Sequence, residues 1–173
     1  KKKKKKKKKK RNRKGVYMNF TKIIQIGILT DDVDKYVENY KKFGMTEWKR
    51  FRFDKSLIPN MTVNGVEDDL VLEIAMFEDE YLQLELIQPV TDSVFMDWVK
   101  EHGTGIHHLA FVPAEGYDKF MDEYQAMGGK SLIDVLDGTK SGGFSYLDTK
   151  DLLGFYSEIH KPVPPKTGRH QED

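Results

Sequence analysis

The chain has 173 residues, with 29 Lys and Arg against 28 Asp and Glu and no cysteine. Thirteen of the basic residues lie in the first 14 positions, leaving 16 against 28 elsewhere, so the body carries about −12. An acidic body argues against a nucleic-acid groove, whose affinity comes mainly from neutralised phosphates, and the lack of cysteine removes disulfides, thiolate nucleophiles and zinc-finger sites.

The run Lys1 to Lys10 with Arg11, Asn12, Arg13 and Lys14 repels itself and buries nothing. Residues 1–17 read as a disordered basic tail added for expression, ahead of Met18. A polybasic arm for RNA or acidic lipid is the rival reading. The remaining ~155 residues suffice for one domain with a sizeable core. No apolar run approaches the ~20 residues of a membrane span, so a cytoplasmic protein without a membrane partner is expected.

In chain order, 22–29 is apolar on both faces and suits a buried strand. Thr30 and Asp31 are cap candidates for a helix whose stripe is Val33, Tyr36, Val37, Tyr40 and Phe43, stopped by Gly44. Residues 47–53 read as a strand, and 54–68, with Pro59, Asn60, Asn64 and Gly65, as a loop. Residues 70–77 and 81–88 suggest a hairpin across Glu78-Asp79-Glu80. The joint follows, where Asp92 or Ser93 caps a short helix carrying Phe95, Trp98 and Val99. Then come a strand at 105–112, a helix at 116–127, a strand at 130–135, a Gly-bearing loop at 137–143, and strands at 144–149 and 153–160. Residues 163–173 form a polar tail.

The order β-α-β-β-β occurs twice because the chain repeats itself. Adding 84 to the first helical stripe and its stop gives Tyr117, Phe120, Met121, Tyr124, Met127 and Gly128. Gln25-Ile26-Gly27-Ile28 matches His108-Leu109-Ala110-Phe111, and Glu85-Leu86-Ile87-Gln88-Pro89 matches Glu158-Ile159-His160-Lys161-Pro162. Module one is therefore 20–89, the linker helix 90–103 and module two 104–162, within a single domain at 20–162.

Strand alternation decides which side chains share a face. Leu82, Leu84 and Leu86 point one way, onto the helices, and Gln83 and Glu85 the other. Tyr156, Glu158 and His160 share a face. His108 shares one with Ile106 and Ala110, and Gln25 with Ile23 and Gly27. Gly27 and Ala110 are both small, as if something must approach the sheet closely there.

A carboxylate in an apolar strand is costly to bury unless paired, hydrogen-bonded or bound to metal. One such glutamate suits a solvated sheet edge; Glu85 and Glu158, at equivalent repeat positions, suggest a shared site. His108 is singled out over His107 because it matches Gln25, which leaves His107 on the opposite face as packing. Two carboxylates, an imidazole and an amide oxygen suit Zn²⁺, Ni²⁺, Co²⁺, Mn²⁺ or Mg²⁺. His102 ends the short helix, where a basic group is favourable. His160 is expected at the rim, a strand repeat beyond Glu158, and His170 in the tail. Gly142-Gly143 near Lys140 suits an anion cradle or, more simply, a turn.

On these motifs residues 20–162 resemble the vicinal oxygen chelate superfamily, which includes glyoxalase I, methylmalonyl-CoA epimerase and extradiol dioxygenases. The resemblance implies an α+β fold in which two paired βαβββ modules form a cupped, barrel-like mixed sheet with helices outside. It also implies one divalent metal (Zn, Ni, Co or Mn) held by Gln25, Glu85, His108 and Glu158. The segment Leu84 to Pro89, Asp92-Ser93 and Gly105 to Phe111 resembles the epimerases, as does Asp148 to Glu158, although Asp148-Thr149-Lys150 stands where they carry His-Pro-Lys. The epimerases usually present histidine where this chain has Gln25. The set Gln, Glu, His, Glu is instead that of zinc-type glyoxalase I, and Gln25 counts against an oxygen-activating iron site. Both leading relatives remove a proton alpha to a carbonyl. The resemblance thus implies a metal-dependent lyase or epimerase with Glu158 as base, and Glu85 or Asp54 as the second acid if it is an epimerase. Its substrate would be a small 2-oxo compound, hemithioacetal or acyl-CoA thioester. A homodimer is compatible with this reading, though no interface patch is legible. The alternative is a non-catalytic small-molecule binding protein of the same fold and, further off, a dioxygenase.

Overall fold

The computed structural model describes residues 19–137 and 142–161. The basic tail, Lys140, His170 and the polar tail therefore lie outside the described residues.

The first half runs β1 (Phe20–Leu29), α1 (Val33–Lys41), β2 (Trp48–Phe53), β3 (Thr62–Val63), β4 (Val66–Glu67), β5 (Leu72–Glu78) and β6 (Gln83–Pro89). After α2 (Val94–His102) come β7 (Gly105–Pro113), α3 (Tyr117–Ala126), β8 (Ser131–Leu136), β9 (Gly143–Leu147), α4 (Lys150–Leu153) and β10 (Tyr156–Lys161). One curved, open mixed sheet takes the order β2-β5-β6-β1-β7-β10-β9-β8-β3-β4. At its middle β1 and β7 run antiparallel, flanked by β6 parallel to β1 and β10 parallel to β7. The α+β architecture expected from the repeat is present.

Each helix covers the sheet through its apolar stripe. Val33 and Val37 of α1 pack on Ile28, Ala75 and Leu86. Tyr117, Phe120, Met121 and Tyr124 of α3 pack on Leu147 and Ile159. A fully buried side chain such as Ile159 contributes about 1.5–3 kcal/mol. A third cluster joins Phe95 and Val99 of α2 to Leu29, Phe53, Met61, Leu70, Ile87 and Val135. That cluster contains strand residues from both halves and fixes their relative placement. No helix among the described residues is long and apolar enough to cross a membrane.

Several local expectations need correction. The cap of α1 is Asp32, whose carboxylate accepts from the Lys35 amide at 2.9 Å; Thr30 Oγ1 instead accepts from the Asp32 amide. Ser93, not Asp92, caps α2. Both helices end before their stripes do: Phe43 and its counterpart Met127 lie two residues and one residue past the helix ends and are exposed. Residues 153–155 are not strand, because α4 intervenes and Gly154 ends it at φ 87°. Gly143 opens β9 at φ 138°, where a Cβ would run into the Val135 carbonyl oxygen; the loop on which its turn reading rests lies partly outside the described residues.

The largest departure is in 54–68. Asn64 and Gly65 both take positive φ, 53° and 81°, the two-residue turn that matches strand twist. They join β3 to β4, and β3 pairs with β8 through Thr62↔Leu136 and Val63↔Val135. A hairpin of the first half thus extends the sheet of the second.

Candidate metal centre

Two β-bulges aim the central donors. Between the pairs Ile23↔Phe111 and Gln25↔Ala110, Ile24 is an extra residue; between Gly27↔His108 and Ile28↔Ile106, His107 is. Each bulge immediately precedes a donor, Gln25 in β1 and His108 in β7. A bulge breaks the alternation of faces and redirects the side chains beside it. It follows that Ile23 and Ile106 do not share the donors' face, as strict alternation had it; both are exposed.

The neighbouring strands complete the set. Glu85 of β6 pairs with Gly27, and Glu158 of β10 pairs with Ala110. An approximate two-fold between β1 and β7 therefore exchanges Gln25 with His108, Gly27 with Ala110 and Glu85 with Glu158. The small residues make room: a Cβ on Gly27 would lie 1.8 Å from His108 Cε1.

The four expected side chains are all buried, and Gln25 lines the same cavity as Glu85 and Glu158. One donor atom each from Glu85, His108 and Glu158 lies within 4.8 Å of the others. His108 Nε2 is 3.0 Å from Glu158 Oε2 and 3.9 Å from Glu85 Oε2. Gln25 Nε2 donates to Gln83 Oε1 at 3.4 Å, which turns Gln25 Oε1 the other way. Gln25 Oε1, His108 Nε2 and Glu158 Oε2 are buried without a hydrogen-bond partner. Such atoms are expensive to leave unmatched. Three from one cluster, together with Glu85, fit a divalent cation: the donors are nitrogen and oxygen, and the two carboxylates supply two negative charges.

Electrostatics separate the carboxylates. Burial, reinforced by the Glu158 charge, pushes Glu85 up to about 8. Burial also acts to raise Glu158, but the charges of His108 and His160 outweigh it and hold this carboxyl well below the usual range. Burial likewise pushes the Tyr146 hydroxyl well up.

His107 is more than packing. The bulge buries it within reach of the rings of Phe95, Trp98, Tyr146 and Tyr156, and its Nδ1 meets His108 Nδ1 at 3.1 Å. Burial pushes its pKa down to about 3, so His107 is neutral and can accept. With an ion in the centre, His108 would donate from Nδ1 to His107 and leave Nε2 for the ion, the arrangement in which a partner fixes a ligand's tautomer.

His160 stands exposed at the cavity rim, as expected, but is in contact with Glu158. Its Nε2 lies 3.1 Å from Glu158 Oε1, and it lines the cavity above the donors while staying 43% exposed. The signal that could have found it was its shared face with Glu158. Asp54 is not at the site; it accepts from the Ser56 amide at 2.8 Å and lines a separate depression with Lys55 and Asp69. His102 ends α2 as expected, its Nδ1 3.1 Å from the Trp98 carbonyl.

The cavity over the donors measures about 180 Å³. Gln25, Gln83, Glu85, Glu158 and His160 make it polar on one side, and Phe51, Phe53, Ile74, Met76 and Phe144 make it apolar on the other.

A curved sheet of two β-α-β-β-β halves forms a cup around a buried Glu-His-Glu cluster whose geometry suits a metal ion. The Glyoxalase/Bleomycin resistance protein/Dioxygenase superfamily matches residues 24–146, and the chain belongs to that superfamily. The structure is similar to methylmalonyl-CoA epimerase from Mycobacterium tuberculosis, with a TM-score of 0.59 and 18% identity over 84% of this chain and 90% of that one. It is similar also to a variant of methylmalonyl-CoA epimerase from Streptomyces coelicolor in complex with 2-nitronate-propionyl-CoA. There the TM-score is 0.61 at 22% identity, over 84% of this chain and 100% of that one. A hypothetical protein from Bacillus halodurans gives 0.56 at 19% identity, over 88% and 98%. At these identities the likeness establishes the fold. No curated protein matched the sequence.

Proposed function

We propose that this chain is a divalent-metal-dependent lyase or isomerase that removes a proton alpha to the carbonyl of a small molecule, as glyoxalase I and methylmalonyl-CoA epimerase do. The observation that carries the proposal is the convergence of donor atoms of Glu85, His108 and Glu158 within 4.8 Å of one another, with Gln25 lining the same cavity and its Oε1 buried without a hydrogen-bond partner. Gln25, Glu85, His108 and Glu158 would hold the ion. When bound, it supplies the positive charge that stabilises the oxyanion left as the alpha proton departs.

Glu158 is the base in this reading. Its carboxyl is held ionised, and Oε2 is the atom that receives the proton and returns it. Glu85 is the candidate for the opposite acid in an epimerase, as the second carboxylate of the cluster. A dry cavity of ~150 Å³ holds a molecule of benzene size, so one of about 180 Å³ suits the reacting head of a hemithioacetal or acyl thioester while the remainder extends outward.

The test is solvent deuterium exchange. Protein stripped and refilled with Zn²⁺, Ni²⁺, Co²⁺ or Mn²⁺ should exchange the alpha proton of a hemithioacetal or an acyl-CoA. A protein purified free of metal that binds small ligands unchanged after Glu158→Gln would instead be a binding module.

A further inference from the structure

The approximate two-fold that exchanges Glu85 with Glu158 also exchanges the next inward positions, Ile87 and His160. Here the symmetry fails chemically. Ile87 is buried in the core cluster, 1% exposed. His160 stands at the cavity wall, reaches solvent and meets Glu158 Oε1 at 3.1 Å. Among the described residues the ion-pair partner of Glu85 is His108, at 3.9 Å, and no second imidazole lies on its far oxygen.

The two oxygens of Glu158 therefore have separate surroundings. Oε1 lies 3.1 Å from Nε2 of His160, which is outside the ligand set, and Oε2 lies 3.0 Å from Nε2 of His108, a fellow ligand. A carboxylate with one oxygen engaged by the protein offers the other alone. One with both oxygens free can turn, or close on an ion with both.

We propose that His160 is a positioning residue that holds Glu158 by Oε1, so that Glu158 presents the single atom Oε2 to the centre and not both oxygens. This rests on the metal-dependent reading above and adds a division of labour to it. Glu158, tethered from the solvent side, keeps its place when its hold on the ion loosens; Glu85, without such a tether, is the carboxylate placed by the ion. The asymmetry selects Glu158 as base from two symmetric candidates.

Cobalt substitution separates this from a merely structural role, because the visible absorption of Co²⁺ reports its coordination number. His160→Ile copies the equivalent residue of the first half; His160→Gln keeps an N–H donor. The Co²⁺ form of His160→Ile is expected to lose visible intensity as Glu158 closes with both oxygens. Its turnover should fall about 10- to 100-fold, the usual effect of losing a partner behind a ligand, with KM little changed. His160→Gln should recover most of both signals. His160→Ala, which adds no apolar surface, replaces His160→Ile should the latter aggregate. An unchanged cobalt spectrum in the donor-less variant, or a His160→Gln that behaves like it, overturns the inference alone. A wild-type protein that takes up no Co²⁺ overturns the metal-dependent reading along with it.

Discussion

The imidazole of His108 occupies the space over Gly27, where a methyl group would come within 1.8 Å of Cε1. Gly27→Ala must therefore displace a buried ring. Overpacking of this kind costs about 1–3 kcal/mol, which lowers Tm by about 2–4 °C per kcal/mol in a chain of this size. Metal affinity should fall as Nε2 leaves its place. Calorimetric metal titration alongside thermal melts checks both; a variant that melts and binds like wild type would show that His108 does not need this space.

Glu85 sets a pH dependence for the metal-free protein. Its pKa is raised in the fold from 4.5 to about 8, so the folded state binds a proton that the unfolded state releases. Stability from this group is thus fully present below about 4.5 and is lost as pH climbs towards about 8. Denaturant melts of chelator-treated protein across this window should show the decline, and Glu85→Gln should flatten it. A metal ion takes the proton's place, so metal affinity should rise over the same window.

Removing the proposed base should leave the cup intact. Glu158→Gln keeps the volume and one oxygen, and solvent deuterium exchange should drop by about 10²–10⁴, the range of a general base. Circular dichroism should be unchanged. Retention of full exchange would move the base to Glu85.

His107→Phe keeps an aromatic ring among Phe95, Trp98 and Tyr146 but removes the nitrogen that meets His108 Nδ1. Metal affinity should weaken about 10- to 100-fold with little change in thermal stability. A loss of folding with intact metal affinity would assign His107 to packing alone.

The repeat made the helices, the central strands and the buried Glu85, His108 and Glu158 legible, because equivalent positions in two copies carried equivalent chemistry. What strict alternation could not show was the effect of one inserted residue. It placed His107 opposite His108 and Ile106 beside it, whereas the bulge brings the two rings together and turns Ile106 outward. His160 was read by its distance along the strand, yet two residues of strand on one face are within reach of a long carboxylate. Asp54 was attractive by type and wrong by place, since Ser56 and Arg52 hold it at the surface. The short hairpin at Asn64-Gly65 was hidden by its strands of two residues, too brief for any periodicity to register.

That hairpin also bears on how the chain can be cut or rearranged. Because β3 lies against β8, the first copy donates a ribbon to the far edge of the second. A two-strand ribbon by itself is marginal in water. Severing the backbone between Gly103 and Gly105 should accordingly yield fragments that co-purify, clasped by that ribbon as well as by the central seam, whereas either fragment expressed alone would expose an unsatisfied edge and tend to aggregate.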